Sequence, residues 1–415
     1  MRVAFPYGSS ELGIEIPEEK LAGVYVPREL PGTSDLRGEI KRALSQPAGT
    51  AQLAELARGK RSAAVVVDDA TRSVPSRELL GPVMKELEAG GLDAGGVVVI
   101  VATGLHRPLG DGELEAVRGD LPVRVINHNA RDEEGLVAVG RTFLGQEIRV
   151  NRTFLEAELK VLTGDVEYHQ FCGYGGGAKS VYPGLADADS IAHNHSMMEV
   201  KGAGPGRIEG NPVRQEIEEV GRLAGVDFAL NVVMNSKKEV VRAYAGEASG
   251  VVVRAARLVD EMYRVPVEKA VDLVIASPGG YPRDIELYQS QKAISAGRRI
   301  VRKGGTIAVL AECREGHGSA LFDKWMTEAE EIEEIFSRIR ERFVMGGHKA
   351  YQFAREIAWA KVCLLSSLAS EKVEDYFMHP LAGVEEIEQL VAEADSVAAL
   401  PYATMTLAEI PGGNG

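Results

Sequence analysis

Two histidines and a glycine-rich loop with a lysine are the parts of this sequence best suited to chemistry. His106 follows a run of apolar residues, and His169 precedes residues 173–177, where four of five residues are glycine. An imidazole is the natural acid or base near neutral pH. Consecutive glycines allow backbone N–H groups to converge on an anion, and Lys179 adds a cation at the end of the loop. The pattern predicts an acid or base at His106 and an anion-binding site at the glycine-rich loop.

The same stretch allows other interpretations. Residues 173–180 nearly match the phosphate-binding pattern GxxxxGK[ST], but Ala178 stands where the last glycine belongs. A glycine-rich turn with a surface lysine is a purely structural alternative. Four imidazole and thiol side chains could bind zinc or nickel, although their spacing matches no standard zinc module: His169, Cys172, His193 and His195.

Two further polar segments follow apolar runs. Asp68-Asp69-Ala70-Thr71-Arg72 comes directly after residues 63–67 and could bind a ligand, or could simply begin a helix. In the second half of the chain, three side chains share one face of a predicted helix and would suit a carboxylate ligand, with an ordinary solvated face as the alternative: Tyr288, Gln289 and Lys292.

Short apolar runs alternate with amphipathic stretches, which is typical of parallel α/β architecture. Strands are predicted at residues 63–67, 97–102, 123–126, 160–163, 228–233, 271–276 and 306–310, and helices at residues 77–88, 211–223, 288–299 and 329–342. Ligands bind beyond the carboxyl ends of such strands. The end of a long helical stretch suggests an N-terminal domain of residues 1–266 and a C-terminal domain of residues 267–415.

Composition excludes several classes of protein. The net charge of −14, from 47 basic and 61 acidic side chains, disfavours nucleic-acid binding. The three widely spaced cysteines, Cys172, Cys313 and Cys363, are not a disulfide scaffold and suit a reducing cytoplasm. No apolar run approaches the roughly 18 residues of a membrane span, and the N-terminus resembles no signal peptide.

Six segments, taken together and in order, resemble the nickel-pincer lactate racemase family of nickel-dependent 2-hydroxyacid racemases and epimerases. They are residues 69–72, residues 103–108, His169 with residues 173–184, residues 194–195, residues 279–282 and residues 288–292. His169 and Lys179 are ten residues apart, and Lys179 and His195 sixteen, as in the family pattern. The segments are spread over most of the chain, and six of them in the family's order make the resemblance highly specific.

The resemblance implies two α/β domains with mostly parallel sheets and an active site in the cleft between them. It implies a nickel-pincer nucleotide, the nickel complex of pyridinium-3-thioamide-5-thiocarboxylic acid mononucleotide, covalently attached at Lys179. His195 would complete the nickel site. The nucleotide part would be held by the following residues: Asp69, Thr71, Gly175, Gly176 and Gly177.

His106 and His169 resemble the two acid/base histidines of the family. Removal of hydride from C2 is easier when a base takes the hydroxyl proton, and one histidine on each side of the substrate serves both enantiomers. The substrate, a small 2-hydroxy acid, would be bound by four residues: Arg72, Tyr288, Gln289 and Lys292. The cofactor requires dedicated maturation enzymes as partners.

The natural substrate stays open at this point. Lactate-specific members carry a tryptophan in the second domain. In this sequence, the corresponding region is residues 346–349, which include His348 and no tryptophan. His348 could contact a more polar substrate or flank a helix. Two alternative functions remain: a zinc-dependent hydrolase and a non-catalytic carboxylate- or nucleotide-binding protein.

Overall fold

Strands and helices alternate along most of the chain in the computed structural model, which describes residues 1–412 apart from residues 71, 73, 342, 343 and 345. The strands are β1 Arg2–Tyr7, β2 Ser10–Glu15, β3 Leu21–Val24, β4 Ala63–Asp68, β5 Val97–Ala102, β6 Arg124–Asn127, β7 Leu136–Arg141, β8 Glu147–Asn151, β9 Leu159–Asp165, β10 Tyr168–His169, β11 Gly173–Tyr174, β12 Phe228–Met234, β13 Val240–Gly246, β14 Arg264–Pro266, β15 Val271–Ala276, β16 Val301–Leu310, β17 Lys361–Leu365, β18 His379–Leu381, β19 Val397–Leu400 and β20 Leu407–Glu409. The α-helices are α1 Leu36–Ser45, α2 Leu53–Ala57, α3 Ser76–Ala89, α4 Asp111–Arg118, α5 Arg152–Glu156, α6 Ala188–Ser196, α7 Pro212–Leu223, α8 Ala248–Tyr263, α9 Leu287–Arg298, α10 Ala320–Thr327, α11 Ile332–Glu341, α12 Gly347–Ile357, α13 Ser370–Glu374 and α14 Val384–Glu393.

The chain divides into two units. The middle unit is Glu29–Glu261, and the two-segment unit combines Met1–Arg28 with Met262–Gly415. The middle unit contains a six-stranded sheet in the order β13-β12-β9-β4-β5-β6, parallel except for β13. Its central strands are continuous apolar runs, as expected for strands covered on both faces.

The two-segment unit contains a parallel sheet in the order β18-β17-β16-β15-β19-β3. Phe5 and Ile14 of the β1–β2 hairpin pack in the same core as Leu273 and Leu310. The predicted assignment of residues 1–28 to the N-terminal domain is therefore wrong, because these residues pair and pack with the C-terminal half of the chain. The division at residues 261/262 lies close to the predicted one.

The strand and helix predictions are confirmed in existence and type. The bounds of β5 and β15 are as predicted, and Asn211 caps α7 by accepting hydrogen bonds from the N–H groups of Val213 and Arg214 at 3.1 and 3.2 Å. The helix predicted at residues 329–342 is α11, and Arg342 lies outside the described residues. Within the described part of the chain, no helix is long and apolar enough to cross a membrane.

Candidate functional site

Three adjacent parallel strands of the middle unit bring the candidate residues to one sheet edge. β4 lies between β9 and β5, and Asp69 directly follows it. His106 stands four residues after β5 ends at Ala102, and His169 stands four residues after β9 ends at Asp165. Because parallel strands share their carboxyl edge, these segments end on the same side of the sheet, as the strand pattern predicts.

A buried carboxylate holds the ring of His106. Nδ1 of His106 lies 2.6 Å from Oδ2 of Asp69, while the imidazole itself stays exposed. A carboxylate only accepts hydrogen bonds, so Nδ1 carries the proton and the neutral ring has its lone pair on Nε2. This is the tautomer of a general base. The resemblance assigns Asp69 to the nucleotide, which stays a prediction; in the structure its carboxylate contacts His106.

His169 lies in the β10–β11 hairpin. Its Nδ1 accepts a hydrogen bond from the backbone N–H of Cys172 at 3.4 Å, so the proton of the neutral ring is on Nε2. Burial holds the pKa of His169 well below its ordinary value, and the positive charges of Lys179 and Arg72 lower it further. In their neutral forms, Nε2 of His106 thus has a lone pair, whereas Nε2 of His169 carries a proton.

Lys179 lies in a short 3-10 turn, Gly177–Ser180, that follows the glycine-rich loop. Burial lowers the pKa of its ammonium group, and the charge of Arg72 acts in the same direction; Cys172, Asp68 and Glu167 oppose the shift. The neutral amine is therefore more populated than in an exposed lysine, and the neutral amine is the nucleophilic form.

The glycine loop is packed more tightly than an open anion-binding loop would be. Gly176 and Gly177 have φ of +74° and +58°, and a Cβ at either position would lie within 2.7 Å of a valine methyl group. The N–H of Gly175 donates to the carbonyl of Glu167, and that of Gly177 donates to Oδ1 of Asn231. Two amides expected to bind an anion are thus engaged within the protein. Cofactor binding by these glycines stays a prediction.

Carboxylates that the sequence analysis missed surround Arg72. Arg72 is ion-paired with Glu167. Although burial alone would lower the pKa of Arg72, the charges of Glu167, Asp165 and Asp68 raise it overall. Burial in turn raises the pKa of Asp68 and of Asp165. The signal for two of these acids was present in the sequence, since Asp165 ends β9 and Glu167 lies between β9 and His169. Thr71 lies outside the described residues.

His195 is oriented as a metal ligand would be. It lies in the last turn of α6, and its Nδ1–H donates to the carbonyl of Ile191 at 2.9 Å. Burial lowers its pKa to about 4, so the ring is neutral at pH 7 with the lone pair on Nε2. A neutral imidazole and a lysine amine of lowered pKa fit the nickel-pincer nucleotide that the resemblance implies.

The four-residue zinc set does not form in the structure. Nε2 of His193 lies 3.1 Å from Oε1 of Glu216, and the buried thiol of Cys172 donates to the carbonyl of Tyr174. Among the described residues, no three His, Cys, Asp or Glu side chains converge as a metal site. The P-loop interpretation is also wrong, because the loop joins a two-residue strand to a 3-10 turn rather than a sheet strand to a long helix.

In the two-segment unit, α9 carries the three predicted substrate residues. The exposed Lys292 donates to Oε1 of Gln289 at 3.2 Å, and the ring of the half-buried Tyr288 lies 5.2 Å from Nζ of Lys349. Lys349 was missed by the sequence analysis; burial and the charge of Lys292 lower its pKa to about 7. His348 is the second residue of α12 and accepts a hydrogen bond from the N–H of Gly346, the residue just before the helix, which favours the helix-flanking interpretation.

Comparisons with known proteins agree with this arrangement. Residues 7–204 match the lactate racemase N-terminal domain, and residues 267–413 match the lactate racemase C-terminal domain. Two relatives named lactate racemase are 32% identical over 92% of both chains (Thermoanaerobacterium thermosaccharolyticum) and 29% identical over 88% of both chains (Lactiplantibacillus plantarum).

Solved structures give the same result. The lactate racemase apoprotein from Thermoanaerobacterium thermosaccharolyticum superposes with a TM-score of 0.90 at 30% identity, covering 98% of this chain and 100% of that one. A Thermotoga maritima protein shares the fold at a TM-score of 0.60 and 18% identity, covering 93% of this chain and 100% of its own. The chain therefore belongs to the lactate racemase family and is an isomerase of the racemase class.

Proposed function

We propose that this protein inverts the C2 centre of lactate or a related 2-hydroxy acid, with a nickel-pincer nucleotide attached to Lys179. The observation that carries the proposal is the hydrogen bond between Asp69 and His106, which fixes a general base at the sheet edge that also bears His169. The lowered pKa of Lys179 and the ring orientation of His195 support the attachment of the cofactor and its nickel.

Each side chain then has a distinct role in the reaction. When bound, the cofactor supplies a hydride acceptor, which no protein side chain provides. His106 takes the hydroxyl proton through Nε2 as the C2–H bond breaks, so the substrate becomes a flat 2-keto acid. When the bound cofactor supplies hydride to the opposite face of C2, His169 would give a proton to the oxygen from its imidazolium form and be left as a neutral imidazole. Between turnovers, water would return a proton to His169 and take one from His106. Asp69 stabilises the imidazolium form of His106, and the histidines exchange roles in the reverse direction.

The substrate carboxylate is the group that the cationic residues recognise. We assign its binding to Arg72, Tyr288, Gln289 and Lys292, the four residues that the resemblance implies. Arg72 is already paired with Glu167, so the substrate carboxylate shares this guanidinium with a protein carboxylate. The relatives are lactate racemases, which makes lactate the first substrate to assay and larger 2-hydroxy acids the next.

The proposal is tested on protein co-produced with the cofactor maturation enzymes. We expect a mass adduct that maps to Lys179 and about one nickel per chain. The loaded protein should racemise a 2-hydroxy acid in heavy water while retaining the original hydrogen at C2, because that hydrogen leaves and returns as hydride. A bare chain, in a preparation where a known relative loads normally, would contradict the cofactor, and rapid washout of the C2 hydrogen would contradict hydride transfer.

The Asp69→Asn variant tests the orientation of His106. An asparagine amide can donate to Nδ1 and favour the tautomer with a proton on Nε2, which is not a base. We expect kcat to fall about 100-fold, less than for a fully buried triad because His106 is exposed. The measurement is the racemisation rate of the loaded enzyme. Asp120→Asn, at an almost fully exposed carboxylate, is the matched control, and a rate within twofold of wild type for Asp69→Asn would argue against the pair.

A further inference from the structure

The β10–β11 hairpin that carries His169 has two tyrosines in its other paired position. Tyr168 pairs with Tyr174, and His169 pairs with Gly173. Since neighbouring residues of a strand point to opposite faces, the tyrosines lie on the face of the hairpin away from the imidazole. Their ring centroids are 5.4 Å apart. The tyrosine pair can therefore fix the position of the hairpin from the face opposite the imidazole of His169.

Both tyrosine hydroxyls donate to a single carboxylate oxygen. The distances to Oδ1 of Asp260, near the end of α8, are 2.8 Å from Tyr168 and 2.5 Å from Tyr174. Hydrogen bonds from a hydroxyl to an ionised carboxylate are roughly twice as strong as those between neutral groups. One side chain of α8 thus fixes both strands of the hairpin.

The same helix also contacts the loop that leads to Lys179. A Cβ added to Gly177 would lie 2.6 Å from Cγ2 of Val252 and 3.1 Å from the carbonyl oxygen of Ala248, both on α8. The backbone two residues before Lys179 therefore packs directly on this helix. α8 is a common support for the hairpin and for the lysine loop.

We propose that Asp260 is a positioning residue that holds His169, through Tyr168 and Tyr174, in the orientation needed for proton transfer. This rests on the proposed acid–base role of His169. Other hydrogen bonds reach only the backbone of the hairpin: Arg214 donates to the carbonyl of Tyr174 at 3.2 Å, Asn211 to that of Phe171 at 2.8 Å, and the N–H of Gly206 to that of Gly173 at 3.0 Å. Asp260 instead holds the two tyrosine side chains, and through them the face of the hairpin opposite His169.

The Asp260→Ala variant of the loaded, full-length enzyme tests this role. We expect kcat to fall about 10- to 100-fold, because small displacements of a catalytic group have effects of this size. KM should change less than about twofold, since Asp260 binds no substrate. In protein without cofactor, the ring ¹⁵N resonances of His169 should move and those of His106 should not. Glu261→Ala, at an exposed acid next to Asp260 on α8, is the control.

A second variant controls for the possibility that Asp260→Ala impairs folding. The double substitution Tyr168→Phe and Tyr174→Phe removes the same hydrogen bonds without emptying a carboxylate site, and adding Asp260→Ala to it should lower kcat no further. Wild-type kcat and unmoved His169 resonances in either variant would overturn the positioning role. A loaded wild-type enzyme that racemises no 2-hydroxy acid would overturn the proposed function instead, so the two failures are distinguishable.

Discussion

Replacing Lys179 with alanine is expected to abolish cofactor attachment and to lower racemase activity by at least about 1000-fold. The variant lacks the only amine at the end of the glycine loop, and without the attached group no hydride acceptor is held beside the histidines. Intact mass and the racemisation rate of protein co-produced with the maturation enzymes measure the two effects. Lys201→Ala, at an exposed lysine, is the matched control.

A third variant separates the effect of the positive charge at position 179 from the effect of cofactor attachment. Lys179→Arg keeps the positive charge but offers no nucleophilic amine, so it should be as inactive as Lys179→Ala. The charge of Lys179 lowers the pKa of His169. In protein without cofactor, removing that charge in Lys179→Ala should therefore raise this pKa relative to wild type, and Lys179→Arg should leave it low. Histidine NMR titration distinguishes the two. Full activity in Lys179→Ala would contradict the cofactor assignment.

Replacing either histidine with glutamine is expected to lower racemisation about 1000-fold or more in both directions. Every turnover uses both side chains, because one takes the hydroxyl proton and the other returns a proton on the opposite face. The equilibrium constant of a racemisation is one, so kcat/KM must fall equally for the two enantiomers. The measurement is the initial rate from each pure enantiomer, for His106→Gln and for His169→Gln.

A single-turnover experiment gives the two variants opposite signatures. His106→Gln should still convert to 2-keto acid the enantiomer whose hydroxyl faces His169, and His169→Gln should convert the other, each in no more than the amount of cofactor present. His379→Gln, at an exposed histidine, is the control and should behave as wild type. If both variants consumed the same enantiomer, the placement of one histidine on each side of the substrate would be wrong.

The sheet was largely predictable from the sequence because its central strands are buried on both faces. β5 is six consecutive apolar residues, so the run itself gives its bounds. β3 could not be found in this way. It is a short edge strand with intermediate or exposed side chains, and its place is set by pairing with β19, more than 370 residues away in the sequence. Pairing over such a distance leaves no local pattern.

The site shows the same division between local and non-local information. His106 was predicted because it follows β5, and its position depends on that one strand. Its partnership with Asp69 was missed because it joins the ends of two neighbouring strands. His193 was assigned to a metal set by its spacing from His195, whereas its actual partner is Glu216 on α7. Residue spacing indicates which side chains can act together, but the contacts of the folded chain decide which do.

The pairing of β3 with β19 has a consequence for the order of synthesis. Residues 1–28 leave the ribosome before the middle unit, whereas the strand β19 with which β3 pairs leaves it after that unit. The middle unit has all its strands as soon as residue 261 has emerged, and domains generally fold as units during translation. The N-terminal segment must then wait through most of elongation with Phe5 and Ile14, buried in the finished protein, still exposed. Until β19 emerges, this segment therefore offers a chaperone an exposed apolar surface.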